Sequence, residues 1–267
     1  MKCSKYYLLL LLPMFWACQS QDKKVAHVIT PQNDTLSYHY DSLRMTSPIL
    51  RDSFKQDSAY ASVSYPVFEQ TEISTFIEKA IANAPVNNKK VLGYADIAKD
   101  FIDNYNQYAA EQPEILMPWF MDLKVTVRYQ KFNYMAIEKS YADFQGGAHG
   151  NYYFHYLNFN PKILQPITLD SLIAEGKQKD LLRVAEDIFR KDEQLSPTEK
   201  LDNRYFFDNG KFYLPDNFYL TDKSLVFLYN IYEIKPYSEG TTSINIPFSL
   251  LKNIAKPNSI VSAVTDL

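Results

Sequence analysis

Two periodicities alternate along the chain, and the points where one gives way to the other divide it into elements. Ile73, Phe76, Ile77, Ala80 and Ile81 recur at helical spacing and predict an amphipathic helix over 72–83. Ile97, Phe101, Ile102, Tyr105 and Tyr108 predict a second over 94–111, closed by Pro113 and Pro118. The period then falls to two. Residues 119–131 and 132–144 read as two long strands, with Leu123, Val125, Val127 and Tyr129 on one face. Residues 152–160 read as a third, setting Tyr153, His155 and Leu157 against Phe154, Tyr156 and Asn158. Shorter stretches at 38–45 and 61–69 read as strands placed before the helices.

A second unit opens with ITLDSLI at 167–173. It continues as a helix over 177–191, whose apolar stripe is Leu181, Leu182, Ala185, Ile188 and Phe189. A polar loop follows over 193–203, then a hairpin joining 218–220 to 225–232 across Thr221-Asp222-Lys223-Ser224. A strand at 243–247 and a short helix at 248–254 complete the pattern. The order predicts an α+β fold, with antiparallel sheets and helices packed on one side, in two small subdomains, 37–160 and 161–267.

The N-terminus has a different character. Lys2 and Lys5 precede an apolar run from Tyr6 to Trp16, too short to span a bilayer, and Ala17-Cys18 follows. Residues 1–17 therefore read as a lipoprotein signal peptide, with Cys18 as the lipid attachment point and polar residues 18–36 as a flexible tether. Phe15 and Trp16 stand where a lipobox usually has Leu and a small residue. This start predicts a cell-envelope protein joined to a membrane, expected to be the outer one, through its lipid anchor. The only other cysteine, Cys3, lies in the signal, so the mature domain has no disulfide and no thiol nucleophile. With 28 basic and 31 acidic side chains the chain is mildly acidic. That balance argues against nucleic acid as a partner. The 21 Tyr and 17 Phe favour well-packed sheets over disorder.

Three of the seven glycines fall within five residues, in Gln145-Gly146-Gly147-Ala148-His149-Gly150-Asn151 between two strands. Such a run predicts a sharp loop. His149 within it reads either as a structural imidazole bonded to backbone carbonyls or as a ligand contact. The adjoining aromatic run 152–156 likewise reads either as a sheet covered on both faces or as an exposed Tyr/His stripe suited to sugar rings or a protein partner.

Three stretches resemble one family. Ser140-Tyr141 with Gly146-Gly147-Ala148-His149-Gly150 resembles the signature loop of the extracellular domain shared by RsiV-type anti-sigma factors and PdaC-type peptidoglycan deacetylases. Leu157-Asn158-Phe159-Asn160 with ITLDSL at 167–172 is similar to the family's strand and helix start. YEIKPYSEG at 232–240 with INIPF at 244–248 is similar to its closing segment. The resemblance covers about residues 62–254 and implies a two-part α+β domain outside the membrane that binds or senses. RsiV-type proteins bind lysozyme. The chain has neither a cytoplasmic segment for a sigma factor nor room or metal pattern for a deacetylase domain, so neither activity is carried over.

Catalytic patterns are sparse. There is no Gly-x-Ser-x-Gly elbow, no His-Glu-x-x-His and no phosphate-cradling loop. His27 and His39 lie in or near the tether, and His149 and His155 would stand about 20 Å apart if extended, which argues against a shared metal. No cofactor and no metal are expected. The expectation is a non-catalytic binding module for peptidoglycan or a lysozyme-like protein. Its candidate ligand-binding residues are Tyr141, Gly146, Gly147, His149, Tyr153 and Tyr237, provided the two subdomains meet. Two alternatives remain open: a cell-wall glycan hydrolase or deacetylase-type enzyme using His149 and Asp143, and a structural lipoprotein that contacts other envelope proteins.

Overall fold

A computed structural model of the chain describes residues 35–50, 58–82, 93–112, 117–131 and 133–265. The expected signal peptide, Cys18 and nearly all of the tether lie outside these residues. The fold is α+β, as the periodicity predicts. Strands β1 (Tyr38–Leu50) and β2 (Ser58–Phe68) precede helices α1 (Thr71–Ala82) and α2 (Tyr94–Glu111). Then come β3 (Phe120–Lys131), β4 (Tyr134–Phe144), β5 (Asn151–Asn160) and the two-residue β6 (Gln165–Pro166). These six strands form one sheet in sequence order.

The sheet is not wholly antiparallel, which corrects the expectation. β2 and β3 run parallel, with Tyr60 opposite Phe120 and Ser64 opposite Lys124. The physical reason is the connection: α1 and α2 carry the chain back to the end from which β2 started, the crossover that a parallel pair requires. Both helices pack on one face of the sheet. Ile77, Ala98 and Tyr105 meet Leu123, Val125, Met135, Ile137 and Phe159 in a continuous apolar core.

A second correction concerns Tyr129. Pairing of β3 with β4 slips between Val127 and Tyr129, so that Val127 faces Ile137 and Tyr129 faces Ala136. Such a bulge shifts every later side chain to the opposite face. Tyr129 therefore leaves the stripe of Leu123, Val125 and Val127. It packs against Tyr134 on the far side, its hydroxyl donating to Asp222 at 2.6 Å.

The second unit holds α3 (Leu169–Leu172), α4 (Gln178–Asp192), β7 (Phe218–Leu220), β8 (Ser224–Tyr229), β9 (Thr242–Pro247) and α5 (Ile260–Thr265). β7, β8 and β9 form an antiparallel meander. The polar stretch after α4 ends in a 3-10 turn, Leu201–Asn203, with Leu201 buried. The short helix expected at 248–254 is a 3-10 turn over Phe248–Leu251, and α5 lies beyond the predicted elements. β8 stops at Tyr229 because Glu233 accepts a bond from the Asn230 backbone N–H and the chain turns. α4 packs Leu181, Ala185 and Phe189 into a second core with Phe227, Ile244 and Ile246.

Tyr134 and Ala136 of β4 belong to this second core, while their neighbours Met135 and Ile137 belong to the first. The two units are therefore joined through the sheet. The Tyr134 hydroxyl donates to Asn158 Oδ1 and accepts from the Leu220 N–H, both at 2.7 Å. Asn158 Nδ2 in turn donates to the Phe218 carbonyl at 2.7 Å. Along the edge of β5, Asn217 and Asn230 act as side-chain substitutes for a further strand. Asn217 accepts from the Tyr156 N–H and donates to the Phe154 carbonyl, each at 2.9 Å. Asn230 accepts from the Phe154 N–H at 2.7 Å and donates to its carbonyl at 3.0 Å. An edge that would otherwise present unpaired backbone groups is thus satisfied within the chain.

Candidate functional site

The β4–β5 hairpin carries the glycine run at its tip, and the backbone explains the composition. Gly146 and Gly147 adopt φ of 93° and 97°, which side-chain-bearing residues rarely do. Gly150 is constrained by proximity, since a Cβ there would lie 2.6 Å from the Asp143 carbonyl oxygen.

His149 is exposed at the end of this loop, and its ring stacks on Tyr237 with centroids 4.1 Å apart and planes 23° from parallel. Tyr237 arrives from the second unit, on a 3-10 turn that follows Pro236. Tyr152 of β5 meets the edge of Tyr237 at 5.8 Å, and Tyr232 lies 5.8 Å from it on another side. Tyr232 is 52% exposed and holds φ at 65°, an uncommon conformation for an aromatic residue. The glycine–histidine loop and the closing YEIKPYSEG segment, the first and third of the resembling stretches, therefore do meet in space, across the junction of the units.

Both imidazole nitrogens are engaged. Nδ1 lies 2.8 Å from the Gly150 carbonyl, which can only accept, so Nδ1 carries the hydrogen. Nε2 is then the acceptor for the Tyr232 hydroxyl at 3.3 Å. Asp143 bonds neither nitrogen. Its side chain is buried on the opposite face of the sheet and accepts from Gln145 Nε2.

Tyr141 and Tyr153 do not join this cluster. They are directly paired across β4 and β5, and their rings stack at 5.0 Å on the face that carries α1 and α2. Strand alternation sends Tyr152 to the Tyr237 side and Tyr153 to the helix side. The six candidate residues thus divide: Gly146, Gly147, His149 and Tyr237 lie together at the hairpin tip, and Tyr141 and Tyr153 lie together on the helix face. The aromatic run 152–156 is covered unevenly, with Tyr156 buried against Tyr219 and with Tyr153 and His155 exposed.

The Tyr141–Tyr153 pair lines a cavity of about 360 Å³ between the helices and the end of the sheet. Phe101, Met121 and Leu123 line its apolar side, and Asp100, Asn104, Asp143, Gln145 and Lys139 supply polar groups. Burial pushes the Tyr141 phenol well above its ordinary range, with the Asp143 charge adding to it. Lys139, opposite Val125 on β3, is 8% exposed, and burial lowers its ammonium pKa. His155, paired with Lys139 across the strands, is also lowered, by desolvation first and then by the Lys139 charge. Lys139 escapes sequence inspection because it is a lone lysine in a strand. The available signal is its parity: it shares the inward face with Ile137 and Tyr141. Among the described residues no group of three or more His, Cys, Asp or Glu is arranged to hold a metal ion.

Comparison with known proteins agrees with the resemblance read from the sequence. Residues 170–249 match the family model described as protein of unknown function, DUF3298. Residues 53–152 match the model described as deacetylase PdaC. A crystal structure of a DUF3298 family member from Bacteroides fragilis superposes with a TM-score of 0.68 at 21% identity, covering 88% of this chain and 100% of that one. A DUF3298 family protein from Pseudomonas aeruginosa gives 0.67 at 20% identity, covering 84% of this chain and 96% of that one. At such identities the likeness is one of fold. No curated protein matches the chain.

Proposed function

We propose that the chain is a non-catalytic binding module of the bacterial cell envelope, recognising peptidoglycan or a lysozyme-like protein through the aromatic surface at the glycine–histidine loop. In this reading the lipid on Cys18 holds it at the outer membrane. The observation that carries the proposal is the His149–Tyr237 stack, flanked by exposed Tyr232 and by Tyr152. Adjacent ring faces at the seam of two units suit stacking on a sugar ring or anchoring a protein partner. The engagement of both imidazole nitrogens, and the burial of Asp143 on the other face, favour this over a hydrolase that would pair His149 with Asp143.

The test is calorimetry of the unlipidated chain from Gln19 to Leu267 with soluble peptidoglycan fragments and with hen-type lysozyme. Both cores lie within the described residues, so this chain retains the fold. Saturable heat with either ligand, weakened about tenfold or more by Tyr237→Ala, is the expected result. Absence of heat with both at high micromolar concentration removes the proposal. Glycan turnover that His149→Ala abolishes in a folded variant installs the enzyme reading instead.

A further inference from the structure

We infer that the cleft between α1, α2 and the β4–β5 end of the sheet binds a small ligand carrying both a carboxylate and an amine, of amino-acid or dipeptide size, with Lys139 as the carboxylate anchor. This site lies on the opposite face from the His149–Tyr237 surface and does not depend on the role assigned there.

Lys139 carries the argument. It is more than nine-tenths buried, yet among the described residues its ammonium makes no hydrogen bond and no ion pair. Its Nζ lies 5.7 Å from the centroid of the Tyr153 ring, and its cross-strand partner is His155. A buried ammonium without a counter-charge costs stability. Packing does not require it, because Val125, its partner on β3, is itself apolar and buried. Nor is the amine sealed in. Lys139 lines the cavity of about 360 Å³ and also a neighbouring open one of about 740 Å³ along the β5 edge. Its Nζ is not fully enclosed. The charge therefore stands at a wall that a ligand can reach, and an arriving anion supplies the missing partner.

The rest of the cavity defines what that anion is attached to. Asp143 lies four residues further along the same face of β4, roughly 13 Å from Lys139 at the strand rise. Asp100 and Asn104 of α2, joined by a hydrogen bond of 3.1 Å, also line the cavity. A cationic and an anionic side chain are thus set apart along one strand of the lining, the arrangement that complements a zwitterion rather than a simple acid. Between them lie the Tyr141–Tyr153 stack and the side chains of Phe101, Met121 and Leu123, which accommodate an apolar substituent. The volume falls at the lower end of the range for small-molecule sites, about 300–1,000 Å³.

The experiment is an NMR titration of the ¹⁵N-labelled chain from Gln19 to Leu267 with L- and D-alanylalanine. Their C-terminal amides and N-acetyl derivatives serve as blocked forms. At least one enantiomer is expected to give saturable shifts centred on Lys139, Tyr141 and Tyr153. Its amide is expected to bind about 10- to 100-fold more weakly, as for loss of a charged hydrogen bond, and its N-acetyl form more weakly than the parent. Lys139→Met reproduces the loss seen with the amide, whereas Lys139→Arg retains binding. Lys139→Met exchanges a desolvated charge for an apolar chain of similar length, so the variant folds. Tyr237→Ala binds the dipeptide as the unaltered chain does, which separates this site from the loop surface. The inference is overturned if neither enantiomer gives saturable shifts in the tens of millimolar, or if a blocked form or Lys139→Met binds as tightly as the parent pair.

Discussion

Tyr134→Phe isolates the polar link between the two units. The substitution removes one oxygen and leaves the ring, so packing against both Tyr129 and the second core is retained. That oxygen serves two partners, the Leu220 N–H and Asn158 Oδ1, each at 2.7 Å. Tyr134 is 1% exposed, and Leu220 and Asn158 are also buried, so water cannot replace the lost partner. Burial holds the phenol far above its ordinary pKa, so it remains a neutral donor throughout the accessible pH range. Leaving a buried donor or acceptor unsatisfied costs about 1–3 kcal/mol, and two such groups give about 2–6 kcal/mol. At about 2–4 °C per kcal/mol for a domain of this size, Tm falls by about 4–24 °C. Urea denaturation followed by the fluorescence of Trp119, which packs among Phe101, Tyr105 and Tyr108, and by far-UV circular dichroism measures the loss. Tyr213→Phe is the control. Its hydroxyl lies 3.4 Å from the Glu233 carbonyl on the exposed surface, and it should change stability by no more than about 0.5 kcal/mol. A loss at Tyr134 no larger than at this control would refute the claim that the hydroxyl bridges the units.

Asn217→Ala strips the Tyr156 N–H and one bond to the Phe154 carbonyl from the β5 edge. A cost of about 2–4 kcal/mol is expected, with faster hydrogen exchange at Tyr156 than at Phe154, whose N–H Asn230 still holds. Gly150→Ala drives a methyl to 2.6 Å from the Asp143 carbonyl and should cost about 1–3 kcal/mol in thermal or urea unfolding; unchanged stability would mean that the hairpin tip relaxes freely. Lys139→Met should stabilise the ligand-free protein, most at neutral pH. The folded-state pKa of Lys139 lies below the ordinary lysine value of 10.5, so between the two the folded state holds fewer protons than the unfolded, and stability of the unaltered protein rises with pH there. The stability difference between variant and parent should therefore shrink as pH climbs toward the lysine range, and a difference independent of pH refutes the desolvation argument.

Much of the architecture was legible in local pattern. Helix α2 runs from Tyr94 to Glu111, the span its apolar stripe predicted, and α1, α4 and the long strands lie within a few residues of their expected bounds. Helical and extended chains impose their own periods on any sequence that must bury one side, so this much is decided by neighbours a few positions apart. The glycine loop was legible for the same reason. Its two positive φ angles and its close approach at Gly150 are demands of the hairpin itself.

Strand pairing and face assignment were decided elsewhere. No local feature of β2 or β3 records that they run parallel; two intervening helices impose it. The slip after Val127 is a property of a pair of strands, and it alone sends Tyr129 to the second core. Likewise, alternation in 152–156 shows that Tyr152 and Tyr153 point apart; the β4–β5 register sets Tyr153 against Tyr141, and only the docking of the second unit brings Tyr237 against both Tyr152 and His149. Lys139 shows the same division. Its parity along β4 is written in the sequence, whereas its burial beside an open cleft without a counter-charge comes from helices and strands brought together across the chain, because burial is a property of surroundings that a local pattern does not contain.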